Sequence, residues 1–222
     1  AEISKLCPYT VMLFNDATSA CAAELFFGEA RKPSDFLYFF VGSFVGGGLV
    51  LDGALYPGRT GNAAALSSIP AAPLNARGGS AGQMINVASI GQLERRLGAA
   101  GIDPSSIWRT PDSWESFGEH LDAWIEEAAY ALAYACTVAI SVIDVKSIVV
   151  DGAMPSQVRA RLVSRVEHFF AGMDRRGLSD VTIGPGSIGP DARAIGGGAL
   201  PLIKNFARDR EVLFKDALAA PL

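Results

Sequence analysis

The stretch FLYFFVGSFVGGGLVLDGALYPGRTGNA, residues 36–63, decides the fold. Phe36 to Val41 is an unbroken apolar run and reads as a strand. The glycine-rich GSFVGGG that follows reads as a turn, and Leu49 to Leu51 as a second strand closing at Asp52-Gly53. The two strands form a hairpin. Beyond it, Tyr56 to Gly82 is rich in Gly, Ala, Pro and Ser and reads as a long loop.

Upstream, Val11 to Phe14 reads as a short buried strand. Asn15 follows as a helix N-cap, with Asp16 in the first turn, where the helix dipole favours a carboxylate. That helix runs through Ala20, Cys21 and Leu25 and stops at Gly28; Arg31 to Asp35 is a connector. Downstream, Ser89 with Gln92 forms a capping box for a helix through Leu93 and Leu97 that ends near Gly98 or Gly101. Asp112 with Glu115 opens the longest helix, whose stripe is Trp114, Phe117, Leu121, Trp124, Ile125, Ala128, Leu132, Cys136 and Ile140. Ser147 to Val150 is a strand ending at Asp151-Gly152. Pro155 sits in the first turn of a helix striped by Val158, Leu162, Val166, Phe169 and Met173. Asp180 to Ile183 is a last strand, and a terminal helix starts near Pro190. Strands alternating with helices predict an α/β sheet with helices packed on it.

Composition removes several function classes. The chain has 222 residues, 50% of them hydrophobic and 19% charged, so it is a packed protein and not a disordered one. A net charge of -4 with no Lys/Arg run leaves no footprint for a phosphate backbone, so these residues do not grip DNA themselves. Cys7, Cys21 and Cys136 are few, odd in number and scattered, which excludes a disulfide scaffold and fits a reducing, cytoplasmic setting. The longest uncharged stretches, Phe36 to Leu51 and Ala128 to Ile143, fall short of the roughly 20 apolar residues of a spanning helix. AEISKLCPYT lacks the pattern of a signal peptide.

Two literal motifs fail on context. Gly184 to Gly189 fits G-x-G-x-x-G, but a dinucleotide site needs a further strand carrying an acidic residue, so a glycine turn is expected. Gly78 to Gly82 fits the hydrolase elbow G-x-S-x-G, yet AAPLNAR before it is not a strand. His120 and His168 lie in charged helix contexts and read as solvent-facing. No Cys or His pair has metal-ligand spacing, so no metal is expected.

A constellation carries more. An apolar strand feeds Asn15-Asp16 at a helix start; a second enters GSFVGGG; a third leaves through LDGALYPGRTGN. Glycines between strands let backbone N–H groups approach a phosphate, and an aspartate nearby can deprotonate a hydroxyl. Singly, each feature is equally a tight glycine hairpin or an ordinary N-cap.

In order, these segments resemble the ROK family (repressors, open reading frames and sugar kinases) of the actin-like ATPases. NDATSACAAE is similar to the family's N-D-A-N-A-A-x-x-A-E. Residues 36–63 resemble its strand–G-T-G-I-G-G-G–strand–D-G-x-L-x-x-G-x-x-G-x-A segment. SIVVDGAMP and SIGPDARAIGGGALPL resemble its two C-terminal glycine motifs on the nucleotide side. The resemblance implies an actin-like ATPase (ribonuclease H-like) α/β fold: residues 1–31 as the last strand and helix of an N-terminal lobe, 32–222 as the C-terminal lobe.

The departures shape the functional expectation. Kinase members read G-x-A-G-E-x-G-H after the hairpin, the Glu gripping sugar hydroxyls and the His holding sugar and zinc. Here Ala65 stands for the Glu and Ser68 for the His, and the cysteine-rich zinc motif is missing. Phe44 replaces the middle glycine of the phosphate loop, where it would crowd a triphosphate. Asp16 matches the family's catalytic base. The resemblance therefore implies the effector-binding and dimerisation part of a ROK regulator that has lost kinase chemistry, Asp16 being a vestigial base. Asn15, Asp16, Asn62, Ala65 and Ser68 would lie at a sugar-like effector, and Gly42, Ser43, Gly46 and Gly47 would mark the old phosphate loop. Its partners would be that small molecule and a second copy of the chain, with DNA contacted only through a further N-terminal domain and no membrane contact. No cofactor is expected. ATP and Mg belong to the alternative, a ROK sugar kinase with a divergent zinc-free site; a third reading is an oligomerisation module without a ligand.

Overall fold

Alternate residues of Phe36–Val41 enter two different cores. Leu37, Phe39 and Val41 join one hydrophobic cluster, and Phe36, Tyr38 and Phe40 the other. Only a strand in the middle of a three-layer sandwich meets both demands. The computed structural model describes residues 2–28, 34–71, 82–109 and 113–206.

In chain order the elements are α1 (Ile3–Leu6), α2 (Asp16–Phe27), β1 (Phe36–Val41), β2 (Val45–Leu51) and β3 (Ala54–Leu55), followed by α3 (Ile85–Ala88), α4 (Ile90–Ala99) and α5 (Ser106–Arg109). Then come α6 (Gly118–Ile140), β4 (Ser147–Gly152), α7 (Ser156–Ala171), β5 (Thr182–Pro185) and α8 (Ala192–Phe206). The strand order is β3-β2-β1-β4-β5. β1 pairs antiparallel with β2 and parallel with β4, and β4 pairs parallel with β5. Asp52 and Gly53 both have positive φ, 51° and 76°, the geometry a two-residue hairpin between β2 and β3 requires.

The larger core lies under α6 and α7. There the whole predicted stripe from Trp114 to Ile140 is buried, with Trp124 fully so. The opposite face of the sheet carries α2 and α8. α2 carries the small residues Ala17 to Ala23 on its buried stretch, and Ala17 through Glu24 are all buried. No helix among the described residues is long and apolar enough to cross a membrane.

Five expectations need correcting. Val11 to Phe14 is not a strand: no described strand lies beside it to complete its hydrogen bonds, and Leu13 is 88% exposed. Gly46 to Gly48 belong to β2, not to a turn, and only Gly42 to Phe44 turn the chain. Ser89 caps nothing; its hydroxyl donates to the Ile85 carbonyl at 2.6 Å and accepts from Val45 N at 3.0 Å. The longest helix starts at Gly118, because Glu115–Phe117 winds into a 3-10 turn that buries Trp114 and Phe117 before the axis is set. β5 begins at Thr182, the first residue opposite Ser147 of β4, so Asp180 and Val181 lie outside it. Asp112 and Gly78 to Ala81 fall outside the described residues.

Candidate functional site

Asn15 begins the site by ending the loop. Its side-chain oxygen accepts from Ala17 N at 3.0 Å and Thr18 N at 3.2 Å, satisfying two donors that α2 leaves open. Asp16 follows, exposed, with Oδ1 accepting from Ala17 N at 2.9 Å. Its Oδ2 accepts from Arg193 of α8 at 3.3 Å. The next residue, Ala17, touches the sheet: a Cβ on Gly46 would lie 2.4 Å from that of Ala17. Asp16 is thereby fixed beside the hairpin.

The turn of that hairpin is docked on a helix end. Ile90 N donates to the Gly42 carbonyl at 2.8 Å and Gly91 N to the Ser43 carbonyl at 3.4 Å, so leading N–H groups of α4 meet protein oxygens. Gly42 N itself donates to the Phe44 carbonyl at 3.2 Å. The Phe44 side chain stands at the tip, 74% exposed. Behind the turn, Gly48 faces Cys21 of α2, with a missing Cβ 2.3 Å from the Cys21 Cβ. Gly47 faces the other way, where a Cβ would lie 2.4 Å from the Ala64 carbonyl oxygen.

Neighbouring residues of one strand thus back the two halves of the predicted site. α2 lies against β2 at Gly46; residues 61–68 lie on the opposite face at Gly47. In that segment Leu66 is the buried anchor, whereas Asn62, Ala65 and Ser68 are exposed. Among the described residues, no hydrogen bond joins Asn15 or Asp16 to Asn62, Ala65 or Ser68. Ala64 stands where the family pattern has its second glycine and keeps a left-handed backbone, φ 55°. His168 is exposed as expected, and His120 is half-buried.

Two buried carboxylates escaped the sequence reading. Asp151, at the end of β4, is fully buried. It accepts from Tyr38 Oη at 3.0 Å, Gly152 N at 2.9 Å, Arg159 Nη1 at 2.7 Å and Gly189 N at 3.0 Å. Burial, reinforced by that carboxylate, pushes the Tyr38 hydroxyl well above its ordinary pKa. Glu24 of α2 is also fully buried; it accepts from Ser187 N at 2.9 Å, Ser187 Oγ at 3.0 Å and Ile188 N at 3.4 Å. Both lace the β5–α8 turn, Gly186 to Gly189, to the rest of the molecule. Asp151 was visible only as an Asp-Gly pair ending a strand within SIVVDGAMP, and Glu24 only as the last letter of NDATSACAAE.

Among the described residues no group of three His, Cys, Asp or Glu side chains converges.

The family model for ROK matches residues 1–202. The chain belongs to the ROK family. Its fold is also that of solved ROK proteins. A ROK glucokinase from Streptomyces griseus, in complex with glucose and AMPPNP, superposes with a TM-score of 0.68 at 21% identity, covering 90% of this chain and 70% of that one. A ROK transcriptional regulator, homologous to the E. coli MLC protein, gives 0.61 at 22% identity, covering 90% of this chain and 54% of that one. An uncharacterised protein of Sinorhizobium fredii, y4fQ, is 28% identical over 193 residues, 86% of this chain. This ROK chain spans 46% of the length of that relative. The actin-like ATPase fold therefore stands, and both kinases and a regulator share it.

Proposed function

We propose that this chain is the effector-binding and dimerisation portion of a ROK transcriptional regulator in which kinase chemistry has been lost. One observation carries the loss. The two glycine turns on the nucleotide side are closed on each other by Asp151, which already takes the N–H groups of Gly152 and Gly189 and the Arg159 guanidinium. A phosphate arriving there would find donors engaged and a buried carboxylate facing it. The docked Gly42–Phe44 turn and the replacement of Glu and His by Ala65 and Ser68 support the same reading.

In this reading Asn15, Asp16, Asn62, Ala65 and Ser68 hold a sugar-like effector. Ligand binding biases the closure of the lobes and so the spacing of DNA-binding domains outside this chain, in a protein that works as a homodimer in the cytoplasm. No nucleotide is required.

Calorimetry of the full-length protein against a sugar panel tests this, with micromolar binding of one member expected. The alternative is an ATP-dependent sugar kinase, favoured by the retained and exposed Asp16 carboxylate. A coupled ADP-release assay decides between them: turnover lost in Asp16→Asn would overturn the regulator reading.

A further inference from the structure

Arg193 is a cation placed at the candidate site by something other than its counter-ion. It leaves the first turn of α8, and its guanidinium carbon lies 5.1 Å from the centroid of the Phe40 ring. Phe40 is 2% exposed, and the space a Cβ on Gly42 would fill lies 3.3 Å from its Cε1, so the ring joins Arg193 to the glycine turn. That cation–π contact with a buried ring helps to hold the guanidinium in place. Its contact with Asp16 is weak by comparison: one hydrogen bond at 3.3 Å, long for a charge-assisted pair, with side chains 42% and 68% exposed. A guanidinium has five N–H donors in a fixed fork, and among the described residues this one uses a single bond.

We infer that Arg193 reads an anionic group on the effector, a carboxylate or a phosphate attached to the sugar. This rests on the effector-binding reading and names its ligand class. A neutral sugar offers Asp16 its hydroxyls but gives the half-exposed fork no counter-charge. An anionic sugar satisfies both: its hydroxyls donate to Asp16, and its anion accepts two parallel bonds from Arg193. The ligand's anion replaces Asp16 as partner, so binding also releases Asp16 from α8.

The test titrates the full-length protein by calorimetry with a panel of hexoses, the corresponding hexose 6-phosphates and the corresponding uronic acids. At least one anionic member is expected to bind ten times more tightly than its neutral parent, with an affinity that falls as salt rises. The phosphate and carboxylate arms separate the two sources of charge. Arg193→Gln is expected to erase the preference, bringing the anionic member down to the affinity that the same variant shows for the neutral parent. Arg193→Lys, which keeps the charge but not the fork, is expected to fall between. Thermal melts of both variants confirm that they fold. Equal binding of neutral and anionic sugars, or a preference that survives in Arg193→Gln, overturns the inference and leaves the effector reading standing. No binding by any member of the panel overturns both.

Discussion

The Cβ that Gly196 lacks would lie 1.7 Å from the carbonyl oxygen of Ser19, so α8 and α2 touch backbone to backbone. Nothing at the end of a flexible side chain is available to move. Gly196→Ala must separate the two helices that cover one face of the sheet. Overpacking of a rigid contact costs about 1–3 kcal/mol or more, and the upper end is expected here. Urea denaturation should show a lower midpoint with an unchanged slope. The neighbouring Gly197→Ala, where nothing lies within 4 Å, should be neutral or stabilising.

Ala64 gives the opposite sign. Its left-handed backbone, φ 55°, is strained for any residue with a side chain. Ala64→Gly should raise stability by about 0.5–1 kcal/mol, the relief exceeding the added freedom of the unfolded chain. A loss of stability in the same unfolding experiment would show that the Ala64 methyl is a packing group.

Asp151 and Arg159 should behave as one unit. Asp151→Ala leaves a guanidinium whose side chain is 11% exposed without its carboxylate, together with the stranded N–H of Gly189. Removing one partner of a buried pair costs about 3–5 kcal/mol. Pairing Asp151→Ala with Arg159→Met should recover a large part of that loss. A double variant as unstable as the sum of the singles would show that the ion pair itself contributes little.

Three buried acids predict an alkaline weakness. Burial pushes the thiols of Cys21 and Cys136, and the Tyr38 hydroxyl, above their ordinary values of 9.0 and 10.0. Above those values the unfolded chain releases protons that the folded chain retains. The contribution is fully present below about pH 9 and is lost as pH climbs toward the folded values. The slope is at most about 1.4 kcal/mol per pH unit for each group. Urea midpoints at increasing pH should fall from about pH 9 upward, and Cys136→Ala should flatten the decline. Under native conditions a thiol reagent should modify the half-buried Cys7 quickly, and Cys21 and Cys136 only after unfolding.

Periodic segments were legible in the chain, and segments decided by partners were not. The stripe from Trp114 to Ile140 and the doubly buried Phe36–Val41 announce their environments through spacing and continuity. Gly46 to Gly48 read as a turn because glycine signals one locally; only the tertiary structure shows Ala17 and Cys21 on one side and Ala64 and Leu66 on the other. Ser89 has the letters of a cap, yet a β-strand amide and a helical carbonyl compete for its hydroxyl and win. Asn15 and Asp16 were placed correctly because capping is a local interaction. The interactions of Arg193, Glu24 and Asp151 were invisible because their partners lie up to 177 positions away in sequence.

Gly46, Gly47 and Gly48 are each held to the smallest side chain by a neighbour pressed against the strand. Selection on folding alone would therefore preserve this triplet long after any phosphate had ceased to visit it. A genome survey that counts such hairpins counts an inherited architecture. The triplet by itself therefore carries no information about whether a phosphate is bound beside it.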